Sequence, residues 1–138
     1  MATFKTFEEI KSWQLAREFC KLIHQFITRE SFSRDYKLKE QINGSSGSIM
    51  DNIAEGFSRG GNKEFINFLR YSKGSAGESQ SQLYRALDKK HISQEEFDNA
   101  FSMLDHINSK TQNLINYLLG SEYVGPNYKN KNDKPKKV

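Results

Sequence analysis

Apolar side chains recur at steps of three and four residues in four separate stretches of this chain. That spacing is typical of helices that bury one face and leave the other in water. The four stretches predict helices over residues 7–30, 35–59, 63–90 and 94–119. Because the connections between them are short, neighbouring helices should run antiparallel. We therefore predict an all-α fold, with residues 1–120 forming an up-down-up-down four-helix bundle.

The predicted helix ends carry their own signals. Thr6 with Glu9, and Ser93 with Glu96, match the capping-box pattern, in which a hydroxyl and a carboxylate bond each other's backbone N–H groups. The other boundary signals are a residue that can cap the third helix and glycines that can end the second and fourth helices: Asn62, Gly60, Gly61 and Gly120. Residues 31–35 read as a polar connection.

The second helix contains an unusual run of small residues at positions 43–48, Asn-Gly-Ser-Ser-Gly-Ser. A phosphate-binding loop is one interpretation, but the Lys-Ser/Thr ending and the preceding strand of that motif are missing. Interior helix glycines cost about 1 kcal/mol each relative to alanine. We favour close approach of two helix backbones, and Ser72, Ser75 and Ser79 of the third helix offer a matching small surface.

The composition narrows the class of protein. The chain has 138 residues, of which 36% are hydrophobic and 28% charged, enough for one domain with one core. No apolar run approaches the roughly 20 residues that span a bilayer, and the N-terminus lacks a secretory signal pattern. Cys20 is the single cysteine, which agrees with a reducing compartment. We expect a cytoplasmic protein without a membrane segment.

The net charge of +4 is unevenly distributed. Residues 62–92 carry six basic and three acidic groups, residues 93–120 one basic and four acidic groups. At 100° per residue, five cations of the third helix lie opposite its apolar face: Lys63, Arg70, Lys73, Arg85 and Lys89. A predicted flexible tail, residues 121–138, adds lysines at 129, 131, 134, 136 and 137. This face is the candidate nucleic-acid-binding site, although most such stripes are simply solvated.

A second polar group lies on the second helix, where Asn52, Glu55 and Arg59 share one face. Glu55 and Arg59 form an i, i+4 pair, which is worth little when exposed. If Glu55 instead met Arg70 of the third helix, a partly buried network would result, and Glu55→Ala would cost roughly 1–4 kcal/mol. We interpret Asn52, Glu55, Arg59 and Arg70 as a structural polar network, with a ligand site as the alternative.

Candidates for catalytic or metal chemistry are weak. His24, His91 and His106 fall on different helical regions. Asp88-x-x-His91 matches half of a di-iron motif, but such sites need a second pair and two further carboxylates, so His91 is expected to be solvated at a helix end. Cys20 fits a small core residue. We predict no catalytic residues, no metal, no cofactor and no enzymatic activity.

Several short motifs together suggest a family. They are Gln41, Ser48-Ile49, the block Asn52 to Gly56, Arg59, Glu64-Phe65, Phe68-Leu69, Gly74-Ser75 and Glu78. With them, residues 7 to about 119 resemble the four-helix bundle proteins encoded in intervening sequences of bacterial large-subunit ribosomal RNA genes. The accessory variability proteins of diversity-generating retroelements are a related group. The resemblance implies a left-handed bundle, a ring of five protomers and no enzymatic activity, with nucleic-acid binding as the usual suggestion.

Two functions remain open at this point. The first is a non-enzymatic oligomeric scaffold that binds RNA or DNA with little sequence preference. The second is a scaffold that engages only protein, such as a reverse transcriptase, and uses its charge asymmetry for subunit assembly. The family commonly has arginines and alanines after Gln41, where this chain has residues 43–46, Asn-Gly-Ser-Ser. Basic character therefore rests on the third helix and the tail. The aromatic content, with ten phenylalanines and six tyrosines, favours a homo-oligomer.

Overall fold

The computed structural model describes residues 4–123, and every regular element in that range is helical. A single 3-10 turn at Phe7–Glu9 precedes five α-helices. They are α1 (Lys11–Ile27), α2 (Glu30–Arg34), α3 (Tyr36–Ser58), α4 (Asn62–Asp88) and α5 (Gln94–Tyr123). The four long helices occupy the four predicted positions, which confirms the all-α prediction. The predicted tail beyond residue 123 lies outside the described residues.

The first predicted helix is wrong at its start. Ile10 has an extended backbone (φ −78°, ψ 122°) and separates the 3-10 turn from α1. Its side chain is only 1% exposed, so the chain turns there to bury it. The Thr6 hydroxyl caps nothing, and Glu9 instead accepts a bond of 3.0 Å from the backbone N–H of Lys5.

The predicted connection at residues 31–35 is also wrong, because the short helix α2 occupies it. This helix forms because Phe32 is fully buried against the core. A five-residue helix is unstable alone, so this packing holds it. At its end, Asp35 caps α3 by accepting a 3.4 Å bond from the backbone N–H of Leu38.

The later helix boundaries give mixed results. The capping box at α5 is confirmed: the Glu96 N–H donates to the Ser93 hydroxyl (3.1 Å), and the Ser93 N–H donates to the Glu96 carboxylate (2.9 Å). The predicted cap at Asn62 is wrong, because Gly61 is the N-cap and the Asn62 amide donates to the Leu118 carbonyl (3.4 Å).

Of the glycines predicted to end helices, one is confirmed and one is wrong. Gly60 has a φ of +90° and follows the end of α3, as predicted. Gly120 does not end the last helix, which runs on to Tyr123. Gly120 is buried and lies one residue before the half-buried Ser121, so packing carries the helix past it.

The long helices pack as a ring of neighbours, in which α3 contacts α1 and α4, and α5 contacts α4 and α1. Cross-helix pairs show the direction of two contacts. Ser45 meets Gln82 and Ile49 meets Ser72, so α3 and α4 run antiparallel. The pairs Lys73–Gln112 and Gln80–Asp105 show the same for α4 and α5. The complete up-down-up-down topology and its left-handed sense stay predictions.

Hydroxyl groups join α3 to α4 inside the bundle. The Ser45 Oγ lies 2.7 Å from the Ser79 Oγ and donates to the Gln82 Oε1 at 2.6 Å. The Ser72 hydroxyl donates to the Ile49 carbonyl at 2.8 Å. All four polar side chains are buried. We call this group the α3–α4 seam. It confirms the matching small surface predicted at Ser72 and Ser79, whereas Ser75, its third predicted member, is half-buried and lies outside the group.

The glycines at positions 44 and 47 do not produce the close approach of α3 and α4 that the sequence predicted. A Cβ atom added at Gly44 or Gly47 would meet nothing within 4 Å among the described residues. The glycine that does is Gly56, near the end of α3. A Cβ there would lie 2.7 Å from the Phe68 Cβ and 3.1 Å from the Phe65 Cδ1. The two helices therefore approach closely where Gly56 crosses α4.

We predict that Gly56→Ala destabilises the protein by about 2 kcal/mol. Overpacking costs about 1–3 kcal/mol, and the clash is with a Cβ that moves only with the α4 backbone, so the upper end applies. Better helix propensity returns about 1 kcal/mol. Urea unfolding followed by circular dichroism measures the difference.

The matched control is Gly77→Ala on α4, where an added Cβ meets nothing within 4 Å among the described residues. Propensity alone then acts, and the free energy of unfolding should rise by about 1 kcal/mol. Equal effects of the two substitutions would contradict close approach at Gly56.

Candidate nucleic-acid interface

The five predicted cations of α4 do not form one uniform stripe. Lys63 and Arg70 are exposed, and neither makes a hydrogen bond or ion pair with a side chain in residues 4–123. Lys73 is half-buried and its ammonium donates to the Gln112 Oε1 of α5 at 2.5 Å. A neutral amide orients Lys73 without cancelling its charge.

The other two cations turn towards α3. The Arg85 guanidinium donates to the Gln41 Oε1 at 2.9 Å, and the Lys89 ammonium forms an ion pair with Asp35 at 2.9 Å. Among the five, only Lys89 has its charge balanced by a carboxylate within the described residues. At 1.5 Å per residue, the four cations without a carboxylate partner extend from Lys63 to Arg85 over about 33 Å of a helix that also exposes Glu78.

Sequence reasoning missed one cation beside this face. Lys37 of α3 is exposed and lies one turn before Gln41, the residue that contacts Arg85. Residues four apart share a helix face, so Lys37 adds positive charge near Arg85 and Lys89. Only the register between α3 and α4 shows this, because Lys37 is remote from α4 in sequence.

Two tyrosines flank the face. Tyr71 is 58% exposed and meets the Phe68 ring edge-on at 5.4 Å. Tyr84 is 52% exposed and packs on Phe97 with ring centroids 4.7 Å apart. Each ring is fixed on one side and open to solvent on the other.

The predicted polar network takes a different form. Glu55 and Arg59 pair at 2.9 Å, and Arg59 also lies 3.7 Å from Glu64 and above the Phe68 ring at 5.0 Å. The Glu55 and Arg59 side chains are 50% and 45% exposed. Exposed pairs contribute about 0–1 kcal/mol. The larger loss expected of a buried Glu55 therefore does not apply.

Two predicted members stand apart from this pair. The Asn52 amide donates to the Ser48 carbonyl of its own helix at 2.8 Å. Arg70 forms neither a hydrogen bond nor an ion pair with Glu55. As a result, Arg70 stays available to an external anion, and the network does not compete for it.

His91 is the residue that sequence reasoning placed wrongly. Its side chain is 9% exposed and stacks on Phe32, with ring centroids 4.7 Å apart and planes at 18°. The Nδ1 lies 2.6 Å from the Ser31 hydroxyl, and the Nε2 lies 3.0 Å from the Asp35 carboxylate. The unpredicted helix α2 covers the histidine, and the apolar Phe32 within a polar segment was the available signal.

A serine, a histidine and an aspartate in this order match the geometry of an activated nucleophile. Here the aspartate also binds Lys89, so the group ties α2, α3 and the end of α4 together. The bonds from His91 and then from Lys89 lower the pKa of Asp35 to about 2. We interpret this group of side chains as a structural contact that holds these three elements together.

A second ion pair lies at the same end of the bundle as the Lys89–Asp35 pair. The Arg29 guanidinium binds both oxygens of Glu96, at 2.8 and 2.5 Å. These bonds, followed by the backbone bond from Ser93, lower the pKa of Glu96 to about 2. The Arg29 guanidinium also lies 5.1 Å from the centre of the Phe26 ring. The pair therefore links the end of α1 to the start of α5.

In the part of the chain that the structure describes, no three histidine, cysteine or acidic side chains converge as metal ligands. Burial is the main cause of the raised pKa of Cys20, whose thiol donates to the Ser46 carbonyl at 3.2 Å. No helix within residues 4–123 has the length and apolar character needed to cross a membrane.

The lowered pKa of Glu96 predicts a pH dependence of stability. Its folded value of about 2 lies below the ordinary 4.5. The pair therefore stabilises the fold above about pH 4.5, and this contribution is lost as the pH falls towards 2. Glu96→Gln should lower the free energy of unfolding at pH 7 and flatten its decline below pH 4.5. Chemical unfolding at a series of pH values measures both effects.

Glu95→Gln is the matched control, because Glu95 is exposed and forms no ion pair with another described residue. It should behave like the parent protein at both ends of the pH range. If Glu96→Gln and Glu95→Gln gave the same pH profile, the Arg29–Glu96 pair would not be a source of stability.

Comparison with known proteins agrees with this fold. A crystal structure of a protein of unknown function from the S23 ribosomal protein family of Bacteroides thetaiotaomicron is similar, with a TM-score of 0.69 and 23% sequence identity. The similarity covers 75% of this chain and 97% of that one. None of the curated proteins matches the chain. The model of the family described as 23S rRNA-intervening sequence protein matches residues 8–113, and the chain belongs to this family.

Proposed function

We propose that this protein is a non-enzymatic oligomeric scaffold that binds RNA or DNA through phosphate contacts, with little sequence preference. The observation that carries the proposal is the α4 face, on which Lys63 and Arg70 are exposed without partners among the described residues. Lys73 and Arg85 add charge that only neutral amides contact. Phosphate neutralisation by such cations supplies most non-specific nucleic-acid affinity.

The packing of α4 explains the expected lack of sequence preference. α4 lies between α3 and α5 and contacts both along its length. A reading helix must enter the major groove, which is about 12 Å wide. Because α4 is flanked by two long neighbours, we expect its outer cations to reach the phosphate backbone before any side chain reaches a base edge in the groove. Phosphate contacts position a protein but carry no sequence information.

Assembly would raise the affinity of this modest patch. The resemblance to ring-forming relatives favours five protomers, and linked copies of a weak site bind with avidity. The ten phenylalanines and six tyrosines of the chain are the sequence feature that favours assembly.

We predict a homo-oligomer at micromolar concentration. Multi-angle light scattering should give a multiple of the 16.0 kDa chain mass, with about 80 kDa expected for five copies. A mass of one chain across this concentration range would refute the assembly and leave the α4 face acting alone.

We predict that the protein binds labelled RNA and duplex DNA at about 50 mM salt and loses most of this affinity by about 200 mM. Fluorescence anisotropy measures the binding. Replacing Lys63 and Arg70 together by Gln should weaken it and flatten the salt dependence. Removing residues 125–138, which contain the tail lysines, should weaken it evenly across sequences.

The matched control is Lys110→Gln, which removes an exposed charge from α5 without touching α4. It should bind like the parent. Absence of binding at 50 mM salt would reject the nucleic-acid proposal.

Protein-only scaffolding is the second candidate, and one observation favours it. Lys89 already pairs with Asp35, while Glu95 and Asp98 of α5 are exposed, so opposite charges are available for contacts between subunits. A protein partner such as a reverse transcriptase would then take the place of nucleic acid.

A further inference from the structure

A hollow of about 170 Å³ opens between the first half of α4 and the end of α5. Its lining residues are Lys63, Ile66, Asn67, Arg70 and Leu119. Ile66 is 2% exposed and forms an apolar floor. Leu119 is 42% exposed, which is the largest exposure of any aliphatic side chain among the residues described. The hollow therefore combines an apolar base with a polar rim.

The rim is positively charged. Among the described residues, Lys63 and Arg70 carry its two charges and no carboxylate lines it, and Asn67 is exposed beside them. A second hollow, near Trp13, differs in this respect, because Glu8 and Glu18 line it together with Arg17. The hollow at Leu119 is thus suited to a group that is flat or apolar and attached to anions.

We propose that this hollow receives one unstacked base of a single-stranded nucleic acid. The base lies against Ile66 and Leu119, the flanking phosphates bind Lys63 and Arg70, and the Asn67 amide faces the edge of the base. This inference rests on the proposed function and narrows it from nucleic acid in general to single strands.

Two physical arguments select this occupant. Pockets for free drug-sized ligands have volumes of about 300–1,000 Å³, so a hollow of 170 Å³ fits one ring of a longer polymer. Bases in a duplex are stacked and paired, whereas bases of a single strand can be placed on a protein surface at little cost. A duplex would reach only the two cations, and Leu119 would stay uncovered.

The experiment separates the apolar floor from the charged rim. Anisotropy is measured with fluorescein-labelled 12-mers of rU, rA and dT and with a 12-base-pair duplex, at about 50 mM salt. Leu119→Ser should weaken single-strand binding about fivefold, because about half of a buried leucine's transfer free energy is lost, and leave duplex binding unchanged. Leu119→Phe should strengthen single-strand binding, because an aromatic ring stacks on bases.

Tyr36→Ser is the matched control, since it removes a more exposed apolar side chain at the start of α3, away from the hollow. It should change neither affinity. The RNA and DNA 12-mers show whether the 2′-hydroxyl contributes. Melting and light scattering of each variant test whether fold and assembly are unchanged.

Three outcomes would overturn the inference. Leu119→Ser could leave single-strand binding unchanged, or it could weaken duplex binding to the same extent. It could also alter the oligomer mass, which would make the hollow a contact between copies of this chain. Failure of the parent protein to bind any probe would reject the proposed function itself.

Discussion

The close approach of α3 and α4 is the constraint on which the rest of the molecule depends. Buried hydroxyls are costly without partners, so Ser45, Ser79 and Gln82 fix the axial position of one helix against the other. Gly56 allows the same two helices to meet farther along, against Phe65 and Phe68. Because this register is fixed, Gln41 faces Arg85 and Asp35 faces Lys89. The orientation of the basic face therefore follows from the seam.

Two glycines lie in the middle of the basic face of α4, at positions where packing does not require glycine. Gly74 and Gly77 lie on α4 between Arg70 and Arg85, and an added Cβ at either would touch nothing among the described residues. Each costs helix stability relative to alanine. They remove side-chain bulk at two exposed positions between these cations, where Glu78 and Ser81 are also exposed.

The sequence correctly predicted the features that depend on the residue pattern within a single helix. The apolar stripes located four long helices, and Ser93 with Glu96 located the start of α5. The 100° spacing also placed the five cations of α4 on one side. Patterns of this kind reflect one helix at a time. The helix α2 and the burial of His91 escaped prediction because both depend on Phe32 reaching the core. The partners Gln41 and Gln112 likewise required the packing of three helices.

Native-state hydrogen exchange tests the role of the α3–α4 seam most directly. If the seam holds the bundle together, the slowest amides should lie in α3 and α4 beside Ser45, Ile49, Ser72 and Ser79, and should exchange only through global unfolding. The amides of α2, a short helix held by Phe32 and by the Ser31–His91 contact, should exchange through local opening. Slowest exchange in α1 or α5, with faster exchange at the seam, would contradict this account.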